Sequence, residues 1–491
     1  MKPDFQTGII GAGFGGIIAA LRLLESGRTS FVIFERAGEI GGTWRDNTYP
    51  GCACDIPSIL YSIQSEPNPD WSRRYSPQPE ILAYLKNVCA KHQLDQYIRL
   101  DSEIIRFEYL EQDGIWELTD RKGRRTTVRM IIPALGPFQS PKFPDIAGMA
   151  DFQGKILHSA KWDSSIELKG KRVAVVGTGA SAIQIVAAIA REVAQLTVFQ
   201  RTPSWVSDRF DAESSAGLKT AYRRFPILQR LARQALFRFL EYRGRLFFGN
   251  RFRYWLFKKL CLKKLAREVT DPEIRRRLTP DYAMGCKRIV FSDDFLPTFN
   301  RHNVLLETTG IDRITPGGVL TKEGVERDFE VIIFATGFEI IDFDRMKFFG
   351  RNERELYSEW KESGITAYKG TVVSGFPNCC LLLGPNSGFG HNSILLALEA
   401  QMNYVIQYLD FLEQQPGNTA LDLKPGVQTR YNQALQQKFN NTVWNTGCKS
   451  WYLDEKGNNP VIYPGLMVDF QQETRVFNPD DYEFLPVAMP F

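Results

Sequence analysis

Twice in this chain a short apolar run breaks at a glycine turn and resumes as a helix, and this repeat constrains the fold more than any other feature of the 491 residues. The first copy ends a strand at Ile9 and Ile10, turns through Gly11, Gly13 and Gly16, continues as IIAALRLLESG, and reaches a second strand, FVIFE. The second copy, KRVAVVGTGASAIQIVAAIA, places Gly177, Gly179 and Ala182 at the same spacing and runs on to LTVFQR. In such a unit the first glycine permits the tight turn and the second lets backbone approach a pyrophosphate. The third small residue lets helix and sheet pack closely, with phosphate held at the helix N-terminus. Strand, turn, helix and strand are all present, so each copy predicts a dinucleotide site on a parallel sheet.

The two copies differ where the second strand ends. Glu35 closes FVIFE, where a carboxylate can accept ribose hydroxyls; with its N-terminal position this favours FAD, although NAD fits the same pattern. Gln200 and Arg201 close LTVFQR in place of the acidic residue of an NAD site. A guanidinium there favours the 2′-phosphate of NADPH.

The length predicts two or three domains, each with its own core. Hydrophobic residues at 43% and charged residues at 24% are ordinary for a globular protein, and nothing suggests a nucleic-acid partner. No apolar run approaches the ~18 residues of a membrane span. The N-terminus lacks signal-peptide features. The eight cysteines show neither C-x-x-C nor zinc spacing, which points to a reducing cytoplasm, and with four histidines no metal site is expected.

Three further stretches carry motifs. GGTWRDNTYPGCACD, from Gly41 to Asp55, is too rich in Gly, Pro and aromatics for helix or regular strand; Asp55 by itself reads as a turn or cap carboxylate. Between the glycine turns, Phe152, Gly154, His158 and Trp162 follow F-x-G-x-x-x-H-x-x-x-W, closed by Asp163; residue by residue these read as a satisfied histidine and a packed tryptophan. Finally, GCKRIVFSDD carries a Lys287–Arg288 pair, ordinarily a surface feature.

Together and in this order, the motifs resemble those of the Baeyer–Villiger monooxygenases, flavoenzymes that insert oxygen beside a ketone carbonyl. The resemblance implies an α/β fold with two Rossmann-like domains, the FAD domain being split by an inserted NADP domain. It places Thr43, Trp44, Asp55 and Tyr61 around the flavin, with Asp55 next to the nicotinamide. It joins Arg201 and Thr202 to Lys287 at the 2′-phosphate and makes Arg288, oriented by Asp55, the catalytic cation. The reaction it implies is reduction of FAD by NADPH, addition of O2 at the flavin C4a carbon, and attack on a lipophilic ketone to give an ester or lactone. The fingerprint segment is expected to join the two nucleotide domains. The chain departs from the family at Leu135, where Ala-Leu-Gly replaces the usual Ala-Thr-Gly and removes a hydroxyl near the cofactor.

The expected domains are residues 1–140 (FAD, first part), 141–329 (NADP, with a helical insertion at 205–285) and 330–491 (FAD, second part, and a tail lining the substrate pocket). The insertion is strongly basic. Between Lys219 and Arg267 there are fifteen Lys or Arg and one acidic residue, Glu241, a local charge of +14 in a chain of net +5. Leu228, Leu231, Ala235, Leu236, Phe239 and Leu240 share one helical face. Either these faces pack on the NADP domain under solvated charges, the preferred reading, or the segment lies on an anionic membrane. An N- or S-oxygenating relative would share both cofactors. A pyridine-nucleotide reductase would omit oxygen insertion but would normally show a redox C-x-x-C, which this chain lacks. Oligomeric state has no sequence signature here.

Overall fold

The computed structural model describes residues 1–340, 342, 345–416, 419–448, 450–454 and 456–486. The strand Phe5–Ile10 is buried at its end and pairs in parallel with Phe31–Phe34 and with Arg125–Pro133. Ile104–Leu110 and Ile115–Asp120, whose alternating patterns predict half-buried strands, extend this sheet antiparallel. It has seven strands, and its far edge is Lys347–Phe349, a segment that follows the entire second nucleotide-binding unit in sequence. The first domain is therefore split, as expected.

The second sheet has five strands, all parallel, in the order Val304–Glu307, Gln195–Phe199, Arg172–Val176, Val331–Phe334, Lys155–His158. Val331–Phe334 belongs to this sheet, although it lies beyond the boundary expected before residue 330. The fingerprint segment supplies the edge strand Lys155–His158 of this sheet, and a Cβ on Gly154 would meet the Glu330 carbonyl at 2.5 Å.

Helix α1 (Phe14–Glu25) follows the first glycine turn and α2 (Ala180–Ile189) the second. The insertion is helical, dominated by α3 (Pro226–Gly244) and α4 (Arg251–Glu268). A long buried helix, α5 (Ile394–Glu413), packs along α1. The tail closes over the first domain through the strand pair Ala420–Leu423 and Tyr482–Leu485.

The insertion packs as preferred only in part: α4 sits on the NADP domain, with Cys261 in a cluster with Trp205 and Ile289 and the helix against Phe295–Thr298, whereas α3 turns to the flavin side. The inner residues Leu236, Phe237 and Leu240 join a cluster with Leu60, Phe389 and Leu396 of the flavin side, and Phe247 joins tail residues Phe439, Val443 and Trp444. The outer faces stay uncovered: of 21 large hydrophobic side chains exposed among the described residues, eleven lie between Leu218 and Leu260. The expected single apolar face of α3 is thus divided, with Leu228, Leu231 and Phe239 outside and Leu240 inside. Its charges are also not all solvated. Lys264 is buried against Asp208 and Glu268, and Arg233 donates to the carbonyls of Ile59 and Ser62.

Candidate active site

The two glycine turns are built alike. Gly11 has φ +106° and Gly177 φ +123°, and a Cβ would meet the carbonyl of Ala134 at 2.7 Å in the first and of Ala335 at 2.5 Å in the second. Ala134-Leu135-Gly136 thus holds the same place beside the first turn that Ala335-Thr336-Gly337 holds beside the second. A side chain on Gly16 would overlap Gly11 O, and Ala182 is fully buried. Both α1 and α2 start at a glycine with no side-chain cap, whereas Ser215, Asn250, Asp271 and Ser393 cap other helices. Two long helices whose first N–H groups meet no side chain fit a phosphate at each N-terminus.

Glu35 is buried just beyond its strand. Its Oε2 accepts from Ala12 N at 2.8 Å, and its Oε1 accepts from Ala37 N at 3.0 Å and Arg45 Nη1 at 2.8 Å. The fixed carboxylate keeps a second lone pair on Oε2, which fits a ribose hydroxyl.

The Gly41–Asp55 loop bridges the domains. Gly41 N donates to Ala12 O at 2.9 Å, and Gly42 lies against Gly13 of the first turn. Thr43 opens a one-turn helix that buries Trp44, whose Nε1 donates to Tyr61 Oη at 2.9 Å; the Tyr61 ring meets Phe14 edge-on. Farther along, the loop docks on α2: Tyr49 Oη bonds Gln184 Oε1 at 3.1 Å and Gln184 Nε2 donates to Ala53 O at 3.0 Å. Sequence reading passed over Gln184, the one amide in the run ASAIQIVAAIA, whose other residues are apolar except Ser181; that isolation was the available signal.

At the end of this loop Asp55 meets Arg288, 233 residues away: Arg288 Nε and Nη2 donate to Asp55 Oδ2 at 2.9 and 2.6 Å. The carboxylate raises the guanidinium pKa further above its ordinary value, against the opposing effect of burial. Arg209, also unforeseen, donates to Cys54 O at 2.9 Å and lies over the Tyr75 ring. Tyr452 of the tail is buried against the same arginine; burial pushes its hydroxyl up to about 12, opposed by the Arg288 charge. Of the other tail aromatics, Trp451 is exposed, Trp444 shares the cluster of Tyr452, and Tyr463 belongs to another. The structure also pairs Cys286 with Cys448, Cα atoms 6.5 Å apart, tying the arginine loop to the tail. Sequence spacing gave no sign of this bond, which departs from the reading of uniformly reduced cysteines; six others remain unpaired.

Lys287 places its Nζ 4.7 Å from the centre of the Tyr282 ring. Its pKa is lowered, first by burial and then by the charge of Arg201. Thr202, next to Arg201 in sequence, lies at the second turn, its carbonyl accepting from Thr178 Oγ1 at 2.9 Å. His158 is buried and depressed to about 4 by desolvation; its Nδ1 accepts from Ala160 N at 3.1 Å, and its ring packs on Phe143. No group of three or more His, Cys, Asp or Glu among the described residues is arranged to hold a metal.

The chain is similar to known proteins along most of its length. The flavin-binding monooxygenase-like family matches residues 5–349. A Baeyer–Villiger monooxygenase of Streptomyces coelicolor is 40% identical over 485 residues, covering 98% of this chain and 93% of the relative. The chain belongs to the Baeyer–Villiger monooxygenase family. A second such monooxygenase, from Pseudomonas aeruginosa, is 41% identical across 97% of this chain and 91% of its own. Among solved structures, OTEMO in complex with FAD and NADP has a TM-score of 0.87 at 26% identity, covering 99% of this chain and 100% of that one. Cyclohexanone monooxygenase from Rhodococcus sp. Phi1 bound to NADP+ has a TM-score of 0.86 at 26% identity, covering 98% and 99%.

Proposed function

We propose that this family member binds FAD at the Gly11–Gly16 turn and NADPH at the Gly177–Ala182 turn, and inserts one oxygen atom of O2 beside the carbonyl of a lipophilic ketone to give an ester or lactone. The observation that carries this reading is the Asp55–Arg288 contact, which brings together the ends of two separate motifs. When bound, the flavin supplies the redox chemistry and the activation of oxygen. The chain's own residues supply position and charge. Arg288, paired with Asp55, offers a fixed cation where negative charge would develop, with the buried Tyr452 beside it. Thr43, Trp44 and Tyr61 would hold the flavin side of the loop; Arg201, Thr202 and Lys287 would hold the 2′-phosphate, and Glu35 the FAD ribose.

The test is anaerobic reduction by NADPH followed by an oxygen pulse, with products analysed on a panel of ketones, amines and sulfides. Ester or lactone formation supports the reading. Sulfoxide or N-oxide alone supports the N- or S-oxygenating alternative, and reduction without oxygenated product supports a reductase.

The same reading includes a peripheral contact between residues 219–267 and anionic membranes, favoured by the uncovered faces of α3 and α4. Phe252 is 70% and Trp255 52% exposed, with Leu256, Lys259, Leu260 and Lys263 on the same side. Arg253 stacks on exposed Tyr242 at 3.8 Å, linking the two helices. Basic and aromatic side chains on one outer surface fit an anionic lipid interface. No helix among the described residues is long and apolar enough to cross a membrane. A cytoplasmic location rests on the six unpaired cysteines, with the Cys286–Cys448 bond as the observation against it.

A further inference from the structure

The one acidic residue between Lys219 and Arg267, Glu241, is turned inward. It is 7% exposed, on the inner side of α3. Its Oε1 accepts from Asn392 Nδ2 at 2.7 Å and meets His391 Nε2 at 3.0 Å, while its Oε2 accepts from Val468 N at 3.1 Å. Burial by itself would raise this carboxyl, but the bonds from His391, Asn392 and Val468 outweigh it and hold the group below the ordinary range. A carboxylate is costly to bury without partners, and this one has partners from two other segments of the chain. Gly244 fits the same contact. Any side chain there would overlap the His391 ring, which explains a glycine in the last turn of a helix that disfavours it.

The contact lies between the two halves of the site. His391 and Asn392 lead directly into Ser393, whose Oγ accepts from Leu395 N at the start of α5. One turn later Leu398 rests against Gly15 of the first glycine turn. On its other side the His391 ring is bracketed by Phe247, Phe248 and Phe389, with centroids 6.3, 6.4 and 5.9 Å away. Phe247 stacks on Trp444 and occupies the space beside Gly285, where a Cβ would meet its ring at 2.6 Å. Gly285 stands three residues before Arg288. A continuous packed route therefore runs from the first glycine turn through α5, His391 and Phe247 to the arginine loop, and Glu241 pins its middle to the insertion.

We propose that Glu241 is a positioning residue for the monooxygenase reaction: by fixing the His391–Asn392 turn it sets the start of α5 and the Arg288 loop relative to each other, so that NADPH oxidation is spent on ester formation. This rests on the reaction proposed above. In the coupled reaction, ketone, NADPH, O2 and a proton give ester, NADP+ and water. When the parts are misplaced, NADPH, O2 and a proton give NADP+ and hydrogen peroxide, with the ketone unchanged.

The experiment compares FAD-loaded, full-length Glu241→Gln, His391→Gln and the double variant with the unmodified enzyme. Glutamine can still accept at one oxygen, but it removes the charge and turns an NH2 toward Val468 N–H. Each single variant should lower ester formed per NADPH by about fivefold or more, with peroxide making up the difference. Anaerobic flavin reduction by NADPH should stay within about twofold, because neither residue belongs to the NADPH turn. The double variant should be no worse than the poorer single, since both break one contact. A lowered Tm with an unchanged ester-to-NADPH ratio overturns the proposal, and so do additive losses in the double variant. If Glu241→Gln does not fold, His391→Gln carries the same test. Absence of ester from the unmodified enzyme would instead overturn the reaction assignment, so the two failures are distinguishable.

Discussion

Replacing Arg288 by alanine removes a cation that makes both of its observed hydrogen bonds to one carboxylate oxygen, at 2.9 and 2.6 Å. The stability cost is modest, since about a third of the arginine side chain reaches solvent. Hydrogen bonds to charged groups contribute about 1.5–3 kcal/mol when enclosed, and solvent screening places this pair toward the lower end of that range. The rate cost should be larger. A group that meets charge developing only during reaction acts on the barrier, and removing one such group typically costs about 10²–10³ in kcat, or roughly 2.7–4 kcal/mol. Arg288→Ala should therefore fold, bind FAD and consume NADPH, while ester formation falls by about two to three orders of magnitude. Arg288→Lys should recover only part of the loss, about tenfold, because an ammonium supplies charge without the guanidinium fork that grips Asp55. The assay quantifies ester by gas chromatography against NADPH consumed, with flavin content and Tm measured on the same samples. Ester formation by Arg288→Ala within about threefold of the unmodified rate would refute the reasoning and return Arg288 to a purely structural pairing with Asp55.

Arg201→Ala should raise the KM for NADPH by about 10- to 100-fold and leave that for NADH nearly unchanged, in line with about 1–3 kcal/mol of charge-assisted bonding to the 2′-phosphate; equal losses with both nucleotides would count against it. Gly16→Ala should yield colourless protein, because the added methyl overlaps Gly11 O and displaces the turn; absorbance near the flavin band after purification reads this directly. His158, depressed to about 4 from an ordinary 6.5, stays neutral in the folded chain while the unfolded chain takes up a proton. Its contribution is thus constant above pH about 6.5 and is lost as pH falls from there toward about 4, so His158→Gln should flatten the Tm profile across that window. Phe252→Asp combined with Trp255→Asp should abolish sedimentation with anionic vesicles at low salt and leave turnover of a water-soluble ketone intact; no preference of the unmodified protein for anionic over neutral vesicles would remove the membrane contact.

The local parts of this protein were legible in its sequence because they are set by backbone geometry. Gly11 and Gly177 stand at positive φ where a side chain would strike a neighbouring carbonyl, and the apolar runs on either side can only be buried strands or packed helices. Fold class and the order of the two nucleotide units follow from that. The meeting of Asp55 with Arg288 was expected through resemblance alone, since no local rule brings together residues 233 positions apart.

Tertiary packing decided the rest. The VIIF strand could pair with either sheet, since a strand buried on both faces has no preference of its own; it joined Lys155–His158 and Arg172–Val176 in the second. The apolar stripe of α3 was visible as a stripe, but helical periodicity says only which residues share a face and not what covers it. The flavin side took Leu240, and Phe239 was left outside. Glu241 read as an exception in a basic run because charge counts carry no depth. It became a buried contact only once the fold brought Asn392, His391 and Val468 around it, where its partners outweigh the cost of leaving water.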